Sequence, residues 1–433
     1  MFLPVDDAYA SMNPGHMSVS AEMGKFVTPA LMEQVLDAGH NIDFVDAESV
    51  LALGITHKVL VMPRVSRLSP AVLAKLDAYV RGGGKIIAVA SKPSLAPGFV
   101  DASRLTAQVA AASRALFARS GVQYVADDAG VGAALARAVA PDFKVASSAS
   151  DVGFIHRKLA DGDLYFIANT SNRPVRTSAT LRAAHRHATW IDPATGAASP
   201  ASSTVPASPR SALPLTLAPY ESRILVLTDA PAALPSALRA AASALGQASA
   251  SGEAVLADLS RDWLVTFPGR ASEPMATLQS WTENESTRFL SAEVRYEKSV
   301  NLTETQLRAP IAIDFGEGKP LESTPKVPAG MRAMLESPIR EAAVVFVNGQ
   351  RAGSLWKPPY RLDITSWLKP GSNKIEVRVA NLSLNMLAGQ ERADHRLLWA
   401  RYGQRFVPQD TQLIIPHPSG LLGPVRLLAG EAK

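Results

Sequence analysis

No cysteine occurs among the 433 residues, which excludes disulfides, thiolate metal sites and every mechanism that needs a thiol nucleophile. Long apolar runs are missing too: none approaches the roughly 20 residues a membrane-spanning helix requires, so no membrane span is expected. The 44 basic and 39 acidic residues are scattered along the chain for a net charge of +5, and no Lys/Arg run is long enough to follow a phosphate backbone. Nucleic acid is therefore not an expected partner. The opening MFLPVDDAYA lacks the basic start, apolar core and small-residue cleavage site of a signal peptide. As written, the chain is expected to stay in the cytoplasm, yet Phe2 to Val5 reads as the start of a core strand and predicts a longer parent.

What the chain does have is length, 47% hydrophobic residues and dense turn chemistry, enough for two to four domains with ordinary cores. The segment 342–379, AAVVFVNGQRAGSLWKPPYRLDITSWLKPGSNKIEVRV, is the clearest case. AVVFV has strand composition, and Asn348-Gly349 is the dipeptide that best accepts the positive φ angles of a two-residue hairpin turn. Pro358-Pro359 blocks continued pairing, Pro370-Gly371 supplies another turn, and KIEVRV alternates polar with apolar residues. The spacing predicts a β-sandwich.

Upstream, over 1–148, strands alternate with helices. Thr28 with Pro29 opens a helix that Gly39 stops, and NIDFVD follows as a strand. KVLVMPRV at 58–65, SPAVLAKLDAYVRGGG at 69–84 and KIIAVA at 85–90 form a βαβ unit of a doubly wound sheet, with Ser69 as cap and Pro70 in the first turn. Gly82-Gly83-Gly84-Lys85 could cradle a phosphate, but the order is helix, glycines, strand, the reverse of a P-loop, so a helix C-cap is expected. Asp43, Asp46 and Glu48 are either paired carboxylates at a strand end or solvated and helix-capping acids.

The region 149–228 reads as a small antiparallel sandwich: FIHRKL and LYFIAN flank the turn Ala160-Asp161-Gly162-Asp163, and ATLRA, HATWIDP and ESRILVLT continue the rhythm. His156 and Arg157 on its first strand could contact sugar or be ordinary edge residues. Residues 229–252, rich in Ala, Ser and Pro, read as a linker whose middle, PSALRAAASALG, could form a short helix. The last region, 253–433, is expected to open with strands from DLSRDWLVTFPG and SWTENE and to close with VRLLAG.

VNGQRAGSLWKPPYRLDITSWLKPGSNKIEVRVANLSLN resembles the sugar-binding jelly roll of family 2 glycosidases. WKPPYRLDIT, HPSGLLGPVRLL and SWTENESTRFLSAEVRYEKSV, with LPVDDAYA, LDAGHNIDFVD and HRKLADGDLYFIANTS upstream, resemble glycoside hydrolase family 106, the bacterial α-L-rhamnosidases. The α/β region is similar to the glutamine amidotransferase fold, though without the cysteine that activity needs. The resemblance implies an amidotransferase-like domain at 1–148, a small β-sandwich at 149–228, the linker, and a galactose-binding-like jelly roll at 253–433. It also implies that catalysis belongs to a β/α barrel absent from this chain, where the βα units run out near residue 145, so no catalytic residue is assigned. The implied parent is periplasmic or secreted, and carbohydrate and the missing barrel are the implied partners.

Sugar rings pack their C–H faces on Trp and Tyr while amides and charges bond the hydroxyls. Trp356, Tyr360, Trp281, Trp399 and Asn385 supply that chemistry as candidate substrate-binding residues. Trp356 and Tyr360, around Pro358-Pro359, could equally be a packed loop that positions Asp363. His395 and His417 are too isolated for a metal site; no cofactor is expected, and calcium is left open. The competing readings are a stand-alone glycan-binding protein and a relative of family 2 glycosidases.

Overall fold

Ser69 opens the helix Pro70–Arg81 by accepting the Val72 N–H on its hydroxyl, with Pro70 in the first turn where no backbone bond is lost. Such local rules recur through the chain, for which the computed structural model describes residues 1–15, 17–201, 212–229, 254–322, 333–391, 394–403 and 414–430. The linker read at 229–252, and the helix within it, fall outside the described residues apart from position 229.

Three parallel strands, Val59–Pro63, Lys85–Val89 and Val122–Val125, lie side by side in that order. Alternation sends Leu60 and Met62 to one face, with the helices Pro70–Arg81 and Ala102–Phe117, and Val61 to the other, with Pro29–Asp37 and Val131–Ala138. Each helix stripe thus buries against a sheet buried on both faces. The Phe2 N–H donates to Val61 and Val45 bridges Phe2, so the chain start and a single residue of NIDFVD extend the sheet. Neither is a full strand, because Val5 already begins a helix, Val5–Ser11. The glycines at 82–84 end the helix, with Gly83 at φ +94°, and Lys85 donates to the Ala138 carbonyl. Asp46 caps Ala47–Leu53 through the Ser49 N–H, and Asp43 pairs with His57 at 2.7 Å. These lysine and carboxylate groups serve local structure.

Gly39 does more than stop its helix. At φ +85° its carbonyl accepts the N–H groups of Asp142 and Phe143, and a Cβ there would lie 2.0 Å from the Phe143 carbonyl oxygen. Gly39→Ala is therefore expected to cost about 1–3 kcal/mol through overpacking, read as a lower denaturant midpoint; an unchanged midpoint would show that the contact relaxes freely.

The strand Phe143–Val145 belongs to the next layer, where it pairs with Val175–Leu181, itself paired with Ala212–Leu217. Facing this sheet is a five-stranded antiparallel one, Val152–Lys158, Gly162–Asn169, Ser222–Thr228, His187–Ile191 and Ala198–Pro200. Phe154, Tyr165, Leu181, Leu215 and Leu225 fill the space between.

The C-terminal part is a second, larger pair of antiparallel sheets. One holds Glu273–Thr277, Arg261–Thr266, Glu293–Leu302, Gly371–Ala380, Ala342–Val347 and Gln350–Leu355; the other holds Ala254–Asp258, Arg426–Ala429, Ile311–Asp314 and Arg361–Asp363. Asn348 and Gly349 turn the hairpin with φ +52° and +81°, as their chemistry predicts. The first and last strands pair, Ala254 opposite Ala429, and Trp263, Tyr296, Phe315, Val345, Val377 and Leu427 share one core. SWTENE departs from expectation: it is a 3-10 turn, Trp281–Glu283, because Ser280 caps it locally and Trp281 buries against a distant segment.

Candidate functional site

The five candidate residues do not form one site. Trp281 is 2% exposed, donates its indole N–H to the Tyr296 hydroxyl at 2.6 Å and meets Phe267 edge-on. Burial pushes the Tyr296 hydroxyl up to about 12. An indole enclosed in this way has no face for a sugar, so its assignment to substrate binding is corrected to a core role. Asn385 is corrected for the same reason: it is buried, its amide N–H groups go to the His417 carbonyl and Ser419 hydroxyl, and its oxygen accepts the His417 N–H. Both residues instead hold the segment 417–421 against the sandwich. Trp399 lies apart from them, exposed on the helix Arg396–Tyr402.

Trp356 and Tyr360 do come together. Tyr360 is buried, its carbonyl accepting the Phe315 N–H, and burial raises its hydroxyl pKa. Trp356 is 63% exposed. Both line a groove of about 480 Å³ between the two sandwiches, together with Tyr220, Ser222, Glu341 and Lys357. Asn172 holds the groove's far side in place by donating to the carbonyls of Leu321 and Met334, while the Tyr220 hydroxyl accepts the Met334 N–H. Asp363 caps the following turn by accepting from Thr365 N–H and hydroxyl, so the loop that carries Trp356 is anchored at its exit.

A second cleft, of about 700 Å³, separates the α/β layer from the small sandwich. Asn41 fixes its width by bonding both ways to the edge strand, donating to the Phe154 carbonyl and accepting the His156 N–H. His156 reaches Asp142 at 2.8 Å through Nδ1 and Asp163 at 2.6 Å through Nε2, and stacks on Tyr165 at 4.1 Å. Asp142 also takes the Arg182 guanidinium and the Tyr165 hydroxyl, and Asp163 the His185 Nε2 at 2.6 Å. The result is an alternating chain of carboxylates and imidazoles. Burial pushes the Asp163 carboxyl up, but the bonds from His185 and His156 outweigh it and hold it below the usual carboxylate range. The Asp163 partner in turn raises His185. The sequence reading singled out His156 and Arg157 but missed the acids around them. The signal was the hairpin: counting back from the Gly162 turn sets His156 opposite Tyr165.

Among the described residues no group of three His, Asp or Glu side chains could hold a metal ion, and no helix is long and apolar enough to cross a membrane.

Residues 34–205 match the family model for alpha-L-rhamnosidase, family 106 of the glycoside hydrolases. That range contains two of the segments singled out in the sequence, at 36–46 and 156–171, while WKPPYRLDIT and HPSGLLGPVRLL lie beyond it. A rhamnosidase structure from Novosphingobium sp. PP1Y superposes with a TM-score of 0.62 at 24% identity, covering 90% of this chain and 36% of that one. A curated protein of Formosa agariphila, assigned provisionally as a beta-glucuronidase, is 32% identical over 117 residues, which is 27% of this chain and 8% of the relative. A Ruminococcus gnavus beta-glucuronidase structure gives a TM-score of only 0.26 at 17% identity, covering 41% of this chain and 28% of that one, too low to argue fold. The chain spans little more than a third of the rhamnosidase and under a tenth of the curated relative. It is a mixed α/β chain with many antiparallel strands, shares its fold with part of that rhamnosidase, and is related to the glycoside hydrolases of the rhamnosidase and glucuronidase kind.

Proposed function

We propose that this chain is the accessory, carbohydrate-binding portion of an exported glycoside hydrolase acting on α-L-rhamnosides, with catalysis residing in a barrel outside the chain. In this reading 1–148 is an amidotransferase-like domain and 253–433 a galactose-binding-like jelly roll. The observation that carries it is Trp356: a 63%-exposed indole, on a loop anchored by Asp363, at the rim of a groove lined by hydroxyl, carboxylate and ammonium groups. An exposed, preorganised aromatic beside such groups suits the apolar face and hydroxyls of a sugar. The family match at 34–205 supports rhamnose as the sugar.

Calorimetric titration of the purified chain with a rhamnose oligosaccharide tests the reading. Binding is expected in the wild type and to weaken by about tenfold or more in Trp356→Ala, the ~1.4 kcal/mol or more that a stacked aromatic contributes. The chain is also expected to leave an aryl α-L-rhamnoside intact. No binding, or hydrolysis abolished by one Asp or Glu substitution within this chain, would overturn the proposal.

A further inference from the structure

The cleft beside His156 is not used by the proposed function, and its chemistry differs from that of the Trp356 groove. Arg157 and Lys158 stand exposed at its rim. Arg157 donates only to the neighbouring His156 carbonyl, and neither side chain has a carboxylate partner among the described residues. Arg182 is half-exposed, lines the cleft and places its Nε on Asp142. The acids at the floor pair with Arg182 and the histidines and leave Arg157 and Lys158 without a partner carboxylate among the described residues. Asp142 already accepts from His156, Arg182 and Tyr165, and Asp163 from both histidines. On the opposite wall Asp43 gives one carboxylate oxygen to His57 but stays 75% exposed, so its other oxygen can accept hydrogen bonds from hydroxyls; Leu36, and Ile155 on the strand that carries Arg157, each close to half exposed, present apolar surface.

We propose that this cleft binds an acidic saccharide, a ring that carries one carboxylate and several hydroxyls. The carboxylate would meet Arg157, where a charge-assisted bond is strongest, with Lys158, on the other face of the same strand, adding positive charge at the rim, and hydroxyls would donate to the Asp43 oxygen that His57 leaves open. The apolar C–H face would lie on Ile155 and Leu36. A bare inorganic anion uses the cations alone and faces the Asp43 carboxylate unrewarded; a neutral sugar leaves the cations unpaired. A hydroxylated acid uses both. The volume, about 700 Å³, lies in the range of ligand sites and leaves room for more than one ring.

The test titrates the full chain with trigalacturonate, with maltotriose as the neutral oligomer of equal length, and with inorganic phosphate. Trigalacturonate is expected to bind, to weaken as salt is raised, and to weaken about tenfold or more in the double variant Arg157→Ala/Lys158→Ala. Both substitutions are on exposed side chains, so far-UV circular dichroism should be unchanged. Absence of trigalacturonate binding, equal binding of phosphate or maltotriose, or full binding by the double variant would each overturn the proposal. The two clefts share no lining residue, so failure here leaves the rhamnoside reading at Trp356 standing, and the reverse also holds.

Discussion

Trp281→Ala is expected to destabilise the C-terminal sandwich by about 3–5 kcal/mol, the cost of deleting a large aromatic from a close-packed core. The indole is 2% exposed and its environment has no slack: a Cβ added to Gly420 would fall 2.5 Å from its Nε1. Truncation would open a cavity and remove the donor from the Tyr296 hydroxyl, which is itself buried. It would also take the indole away from Gly420 in the segment 417–421, leaving that segment held by the backbone bond from the residue 281 N–H to the Ser419 carbonyl. Trp356→Ala gives the contrast. Its ring is mostly in solvent, so its loss is expected to cost under about 0.5 kcal/mol of stability while weakening saccharide binding. Urea unfolding of the two variants under one set of conditions decides the matter. Equal losses, or a larger loss for Trp356, would mean that core and binding surface have been exchanged.

That contrast marks where sequence reading stops. Asn348-Gly349, Ser69-Pro70 and the alternation of KIEVRV encode their structure within a few residues, so turn, cap and strand all follow from local chemistry. Trp281 and Trp356 both stand in polar surroundings with prolines or hydroxyl residues nearby, and nothing within ten residues separates them. Their burial is decided by pairing across the chain: Ser280 and Trp281 bond to Ser419, 139 residues away for the Ser280 contact, while Trp356 leaves the sheet at the Pro358-Pro359 turn. SWTENE was read as a strand for the same reason, since its cap is local but its destination is not. In the histidine cleft the hairpin register was legible and gave the His156–Tyr165 pair. Asp142 was not, because it reaches His156 only after the helix stop at Gly39 has drawn Phe143 into the small sandwich.

Asp163→Asn is the other large effect expected. The carboxylate accepts from two imidazoles at 2.6 Å, its side chain is 13% exposed, and breaking a partly buried charged network by removing one member costs about 3–5 kcal/mol. The pH dependence follows from two shifts of opposite kind. Asp163 is held below its ordinary value despite burial, so its contribution is complete above the unfolded carboxyl pKa of about 4 and is lost as pH falls through the lower folded value. His185 is raised by its bond to Asp163, so its contribution is complete below about 6.5 and is lost as pH rises through the higher folded value. Both terms are fully present only between about pH 4 and 6.5. The stability gap between wild type and Asp163→Asn should therefore be widest near pH 5.5 and narrow by pH 9, once His185 is neutral on both sides of the unfolding equilibrium. Denaturant unfolding at the two pH values measures it. A gap of equal size at both would show that Asp163 acts as an acceptor for neutral histidine and forms no ion pair with His185.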